Sequence, residues 1–212
     1  MNTNQVKLTF LLLISLVPIV AATLYFRASL ESGMATSSQG TLIQPVLNLP
    51  QRALHREDGE PAYLSFEEMT AGVSPADYTP RPWQLLFLTP AECGQVCLDR
   101  VYLLRQIHLR LARTADRVQR AVVVVDAAGT SLPQSTLATL REQQPDLQIL
   151  QADPVTVLPH LRPSANGRDP VGENFIYVAD PVGNIMLYFT PENSAEDIYK
   201  DVGKLLDQTS LG

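Results

Sequence analysis

Trp83-Gln-Leu-Leu-Phe-Leu-Thr-Pro-Ala-Glu-Cys93-Gly-Gln-Val-Cys97-Leu98 decides how this chain is read. A short apolar run, Trp83 to Leu88, is followed by a proline, two cysteines spaced C-x3-C, and a segment carrying Val101, Leu104, Ile107 and Leu111 at helical spacing. The chain's 212 residues contain no other cysteine. A dithiol set between a strand and a helix start serves one of two chemistries: it shuttles electrons as a disulfide, or it holds a soft metal as a thiolate pair. With Cys93 at the helix entrance and Cys97 one turn in, their Cα atoms lie about 6 Å apart. That is inside the usual disulfide range, roughly 4.4–6.8 Å. The positive end of the helix makes Cys93 the more acidic thiol, opposed by Glu92 and Asp99. The bland alternative is a permanent disulfide or two inert buried thiols.

Outward from this stretch, the elements alternate. Arg120-Ala-Val-Val-Val-Val-Asp126 is a continuous β-branched run, the mark of a central strand buried on both faces. Leu98–Arg113 reads as a helix, as does the segment from Ser131 or Pro133 to Gln143. Leu147–Ala152 is a strand and Val155–Leu161 a short turn or helix. Asn174–Ala179 and Ile185–Phe189 flank Asp180-Pro-Val-Gly-Asn184 as a hairpin. Ser194–Leu206 closes the chain as a helix capped by Asn193 or Ser194. Before the core, Thr41–Pro50 is an extended lead-in, Gln51–Pro61 a charged turn, Ala62–Phe66 a short strand followed by a helical turn, and Ser74–Pro82 a proline-rich loop.

The N-terminus supplies the compartment. Leu8 to Phe26 carries no charge over 19 residues, close to the roughly 20 that a membrane helix needs. A secretory signal has a shorter apolar core and a small-x-small cleavage site, which Val20-Ala-Ala-Thr23 does not provide. Residues 1–27 therefore read as a tail and uncleaved anchor kinked at Pro18, 28–40 as a Ser- and Gly-containing linker, and 41–212 as one domain. Lys7 and the terminal amine precede the span, whereas Arg27 and Glu31 cancel behind it. This places the N-terminus inside and the body outside, in a bacterium a periplasmic domain on the inner membrane. A dithiol there can be oxidised.

The whole chain has 16 basic and 22 acidic residues. Setting aside residues 1–27, with Lys7 and Arg27, leaves a body of net charge −8. That argues against a nucleic-acid partner and against docking on anionic lipid. Three histidines and two cysteines do not build a zinc site of the usual spacing.

The order βαβα, then β, a hairpin and a last helix, with the dithiol at the first strand-to-helix junction, is the thioredoxin-like layout. Leu85-Leu-Phe-Leu-Thr-Pro-Ala-Glu-Cys93-Gly-Gln-Val-Cys97 is similar to the C-x3-C signature of the Sco (SenC) family. Phe175-Ile-Tyr-Val-Ala-Asp180-Pro181-Val-Gly183 resembles that family's strand and D-P-x-G turn. The resemblance implies an α/β fold: a thioredoxin-like central sheet flanked by helices, preceded by one transmembrane helix. It also implies a role in assembling the Cu-A site of cytochrome c oxidase. The partner would be an oxidase subunit or a copper chaperone with reducible cysteines. Copper is the metal it implies, held as Cu(I) by Cys93 and Cys97; no other cofactor is expected. Sco proteins complete their copper site with a histidine, whose place by alignment on Tyr177 falls at Gly172. Leu98 stands where many of them have proline.

Three histidines are candidates for a substitute ligand. His108 shares a helix face with Cys97 but lies eleven residues on, ~16 Å along the axis, and reads as a packed helix histidine. His160, in Leu158-Pro-His-Leu-Arg162, is the better candidate if that loop folds over the dithiol. His55 sits among charges in a loop. Asp169-Pro170 lies near the place of the cis-proline that packs beside the dithiol in thioredoxin-like proteins. Three functions follow in order of expectation: a thiol–disulfide reductase in which Cys93 attacks and Cys97 resolves, a Cu(I) chaperone, and a redox-inactive docking factor. A peroxidase of the peroxiredoxin kind would place Thr three residues before its cysteine, where this chain has Pro90.

Overall fold

A computed structural model of the chain describes residues 3–31, 38–50, 52–74, 79 and 81–209. It divides into two units, one ending at Ser38 and one beginning at Gln39. Among its described residues the first contains one helix, α1 (Thr3–Glu31), with Pro18 inside it. Its stretch Phe10–Ala28 is long and apolar enough to cross a membrane. The helix thus runs past Arg27 into the expected linker; residues 32–37 of that linker lie outside the described residues.

The second unit contains β1 (Thr41–Asn48), β2 (Leu54–Arg56), α2 (Phe66–Thr70), β3 (Trp83–Thr89), α3 (Gln95–Arg110) and a 3-10 turn at Ala112–Arg117. It continues with β4 (Val118–Val125), α4 (Gln134–Gln143), β5 (Gln148–Ala152), α5 (Pro154–Ser164), β6 (Ile176–Ala179), β7 (Asn184–Phe189) and α6 (Ala195–Gln208). The seven strands form one mixed sheet ordered β1-β7-β6-β3-β4-β5-β2. β3, β4 and β5 run parallel, while β6, β7, β1 and β2 each join antiparallel.

The apolar runs sit at the centre because both of their faces are covered. Leu85, Phe87, Val122 and Val124 face α3, α4 and α6, meeting Val101, Leu104, Ile107, Leu137, Leu140, Ile198 and Val202. The alternate residues Leu86, Leu88, Ala121, Val123 and Val125 face α5, through Val157 and Leu161, together with Ile43, Leu54 and Tyr63. A strand covered on both faces has no polar side, which is why β4 reads as uninterrupted valine.

Two expectations are corrected, and the open choice between turn and helix after Asp153 is resolved. The stretch Gln51–Pro61 contains β2, which pairs with β5 through Leu54↔Ala152, His55↔Gln151 and Arg56↔Leu150. Gly59, with φ +84°, turns the chain so that Arg56 and Glu60 pair. The strand expected at Ala62–Phe66 does not form, because Ser65 caps α2 in a reciprocal pair with Glu68 and commits the chain to a helix. The segment after Asp153 is a full helix, α5, despite Pro159 and Pro163. Asp153 caps it by accepting from the Val155 N–H at 3.0 Å, and Pro154 occupies its first turn. The expected strands at 83–88, 120–126 and 147–152, the hairpin and the closing helix are present, with Ser194 as that helix's cap.

The D-P-x-G turn is held from both sides. Asp180 accepts from the N–H groups of Val182 (3.0 Å) and Asn184 (2.8 Å). Gly183 has φ +93°, and a Cβ there would lie 2.7 Å from the Tyr63 ring, so only glycine fits. Tyr63 in turn donates to Gln84 at 2.8 Å. The start of the second unit is tied to its last helix: buried Asp201 accepts from the N–H groups of Gln39 (2.6 Å) and Gly40 (2.8 Å). Hydrogen bonds to a buried carboxylate are worth roughly 1.5–3 kcal/mol each. Asp201→Ala should therefore cost about 3 kcal/mol, and thermal melts should show the midpoint falling by about 6–12 °C.

Candidate functional site

β3 ends at Thr89, which is fully buried and donates its hydroxyl to the Pro90 carbonyl at 3.1 Å. Pro90 then opens a turn closed by the Cys93 N–H on the Pro90 carbonyl at 3.4 Å. Cys93 takes a left-handed backbone with φ +32°; for a non-glycine residue this stores strain on the order of 1–3 kcal/mol. Gly94 is the N-cap of α3 and offers no side-chain cap, so the first-turn N–H groups and their partial positive charge remain at the cysteine turn. The helix begins three residues before the expected Leu98, which puts Cys97 inside its first turn.

Cys93 and Cys97 are joined as a disulfide with Cα atoms 5.1 Å apart. The sequence spacing predicted that proximity. Both residues are buried: Cys93 is 4 % and Cys97 3 % exposed, both within the core cluster on the α3 side of the sheet. The turn itself lies at the surface, since Glu92, Gly94, Gln95 and Val96 are exposed. The strained backbone at Cys93 and the helical position of Cys97 aim both side chains inward while their neighbours form the rim.

The sheet brings two other loops to the same end. β6 starts, and β7 finishes, beside the end of β3: Ile176 pairs with both Phe87 and Phe189. The Leu88 N–H donates to the Phe175 carbonyl at 3.1 Å, fastening the 169–175 turn to β3. Phe175 stacks on Tyr188 with centroids 5.2 Å apart, and the Arg168 guanidinium lies 5.0 Å from the Phe175 centroid. Arg168 also binds Glu173 and, at 2.9 Å, Glu192 of the loop after β7. The Arg168 hydrogen bonds hold Glu192 down to about 2 and Glu173 below the usual carboxylate range. Sequence reading missed this clamp because its three members are separated by up to 24 residues and each alone looks like a solvated charge.

None of the histidines joins the cysteines. His160 lies on α5, not in a loop, and the apolar side of α5 packs on the sheet face opposite the disulfide. His108 donates from Nε2 to the carbonyls of Ala115 (2.8 Å) and Val118 (3.0 Å), at the far end of α3. His55 is on β2, three strands from β3, about 14 Å at the usual spacing. Among the described residues there is no cluster of three His, Cys, Asp or Glu able to hold a metal ion. Two thiolates released by reduction would still fit a soft, low-coordinate Cu(I) ion, and would suit Cu(II) poorly. Gly172 is exposed, and a Cβ on it would meet the Asp169 carboxylate at 2.7 Å. The cis peptide bond among the described residues is Gln44–Pro45, in β1; that before Pro170 is not cis.

A strand–dithiol–helix junction inside a mixed sheet with helices on both faces is the arrangement that decides kinship, and a family model described as "Transmembrane-like, thioredoxin-like, C-terminal domain" matches residues 83–209. The chain belongs to this transmembrane-like, thioredoxin-like family. Solved structures share the fold at low identity. ScoI of Arabidopsis thaliana, solved with copper bound, is 15 % identical with a TM-score of 0.51, covering 74 % of this chain and 96 % of its own. BsSco, a member of the Sco family of cytochrome c oxidase assembly proteins in which a disulfide switch was identified, is 14 % identical with a TM-score of 0.50, covering 78 % and 96 %. A secreted thiol-disulfide isomerase of Corynebacterium glutamicum is 13 % identical with a TM-score of 0.53, covering 82 % and 95 %. No curated protein matches the chain.

The Arg168 clamp makes a testable link between charge and order. A carboxylate whose folded pKa is depressed contributes while it is ionised, above about 4.5, and that contribution fades as pH falls toward 2. Arg168→Ala should lower amide-exchange protection factors across residues 169–175 at neutral pH. Acidifying the unaltered protein from pH 5 to pH 2 should reproduce that loss, while the variant changes little over the same range.

Proposed function

We propose that this thioredoxin-like protein is a membrane-anchored thiol–disulfide reductase that acts through Cys93 and Cys97 in assembly of the Cu-A site of cytochrome c oxidase. The disulfide closed across the β3–α3 junction carries the reading, because it puts a two-electron couple at the helix N-terminus, where a thiolate is stabilised. The neighbours support it: one is a thiol-disulfide isomerase, and another is a Sco oxidase-assembly protein with a disulfide switch. Residues 1–27 serve as tail and anchor, 28–40 as linker, and 41–212 as the working domain. The orientation expected from Lys7 puts that domain in the periplasm of a bacterial inner membrane.

The chemistry is disulfide exchange. In the reduced protein, the Cys93 thiolate attacks a disulfide of an oxidase subunit or a copper chaperone, forming a mixed disulfide and releasing one partner sulfur as a thiolate. Cys97 then attacks Cys93, closing the internal bond and freeing the second partner sulfur. Two electrons pass to the partner, whose cysteines become able to take metal. Burial of both sulfurs makes rearrangement of the Glu92–Val96 rim part of the reaction. A second reading, carriage of Cu(I) as cargo on the two thiolates, draws on the copper-bound ScoI neighbour.

In glutathione buffers of graded ratio, the protein should pass reversibly between disulfide and dithiol, as counted by alkylation and mass spectrometry. Cys93→Ala should abolish the transition and all reduction of a disulfide-bonded oxidase peptide. A protein whose cysteines stay locked at every ratio would overturn the reductase reading. Titrated anaerobically, the reduced protein should take up no more than one Cu(I) per chain and negligible Cu(II). A tight, coloured Cu(II) complex would favour the chaperone reading.

A further inference from the structure

We propose that Arg100 is the positioning residue of the dithiol, a partly buried cation that receives the sulfur charge when the Cys93–Cys97 bond is reduced. This rests on the redox reading above. Arg100 lies on α3 three residues after Cys97, and side chains at that spacing are neighbours on one helix face. Helical side chains lean toward the N-terminus of their helix, so Arg100 covers the turn that carries Cys97.

One of its donors lacks an acceptor. The Nη2 atom is buried and has no hydrogen-bond partner among the described residues. A buried donor left in that state is costly. A disulfide sulfur is only a weak acceptor. Reduction changes the sulfur into a group that can be anionic, and a guanidinium facing it then makes a charge-assisted hydrogen bond. Burial pushes the Arg100 guanidinium pKa down, and the charge of Glu192 counteracts it.

The other charges around this turn are already engaged or exposed. Arg168 is held by Glu173 and Glu192. Asp99 is exposed and accepts from the Gln95 side chain at 2.9 Å. Glu92 is exposed on the rim. The charge of Glu192, in the loop after β7, acts on Arg100 and competes with the sulfurs for it in this proposal. Sequence reading passed over Arg100 because Asp99-Arg100 looks like an ordinary solvated pair.

The step that reads this role is exchange with glutathione. Two glutathione thiols deliver two electrons; the Cys93–Cys97 bond breaks as the bond of glutathione disulfide forms, and of their two protons one stays on a cysteine sulfur while the other passes to solvent wherever the second sulfur remains a thiolate. Arg100 favours the reduced side by stabilising whichever cysteine sulfur is left unprotonated. In full-length protein in detergent micelles, Arg100→Met should shift the equilibrium about tenfold toward the internal disulfide. For a two-electron couple this is a potential lower by about 30 mV. Arg100→Lys, which keeps the charge, should recover most of the shift. Glu192→Gln should move the equilibrium the other way, toward the dithiol.

Equilibrium constants for Arg100→Met within twofold of the unaltered protein would overturn the role of Arg100 while leaving the redox reading intact. An unaltered protein that does not equilibrate at all would overturn the redox reading itself. If Arg100→Met does not fold, as judged by circular dichroism, Glu192→Gln decides: a shift toward the dithiol supports the proposal, and no shift overturns it.

Discussion

Strand β3 is the constraint on which the rest of the structure depends. Leu85 and Phe87 fill one face of the core, Leu86 and Leu88 fill the other, and both edges are hydrogen-bonded, to β4 and β6. A strand enclosed on all sides cannot slide or tilt, so its last residue is a fixed point. The chain leaves Thr89 into a proline turn and enters α3 at Gln95, after only five intervening residues. That short passage forces Cys93 into a left-handed backbone and turns both sulfurs into the α3 side of the core. The placement of the disulfide is thus a property of the strand behind it as much as of the cysteines.

Much of this was legible in the sequence. The valine run of β4 and the apolar run of β3 announce strands covered on both faces, and the C-x3-C spacing announces a pair close enough to bond. Local rules were enough there because propensity, periodicity and burial agreed. They disagreed around β2 and α5. Leu54-His-Arg is too short and too polar to read as a strand, and it forms because β5 presents an open edge that no local pattern reveals. Pro159 and Pro163 look like helix breakers, yet the capped start at Asp153 and the packing of Val157 and Leu161 carry the helix through them. The position of α5 also removed His160 from the dithiol side of the sheet, which a reading of residue order alone does not foresee.

The chemistry at the sheet's end is less legible than its cysteines, because it is assembled from three separate connections. Arg100 comes from the helix after β3, Arg168 and Glu173 from the turn before β6, and Glu192 from the loop after β7. Antiparallel pairing of β6 with both β3 and β7 brings these connections together. The result is a carboxylate–guanidinium clamp at the same end of the sheet as the disulfide, with a half-buried guanidinium one helical turn after Cys97.

The two outer strands have a different consequence. β2 is only three residues long, and β1 is broken by Pro45, which cannot donate to a ladder, at a register shift between Leu42 and Leu47. Such frayed borders offer a second copy no continuous row of amide groups to extend. A molecule crowded among its own kind therefore keeps its sheet to itself, resisting fibre-like stacking without needing a protective partner.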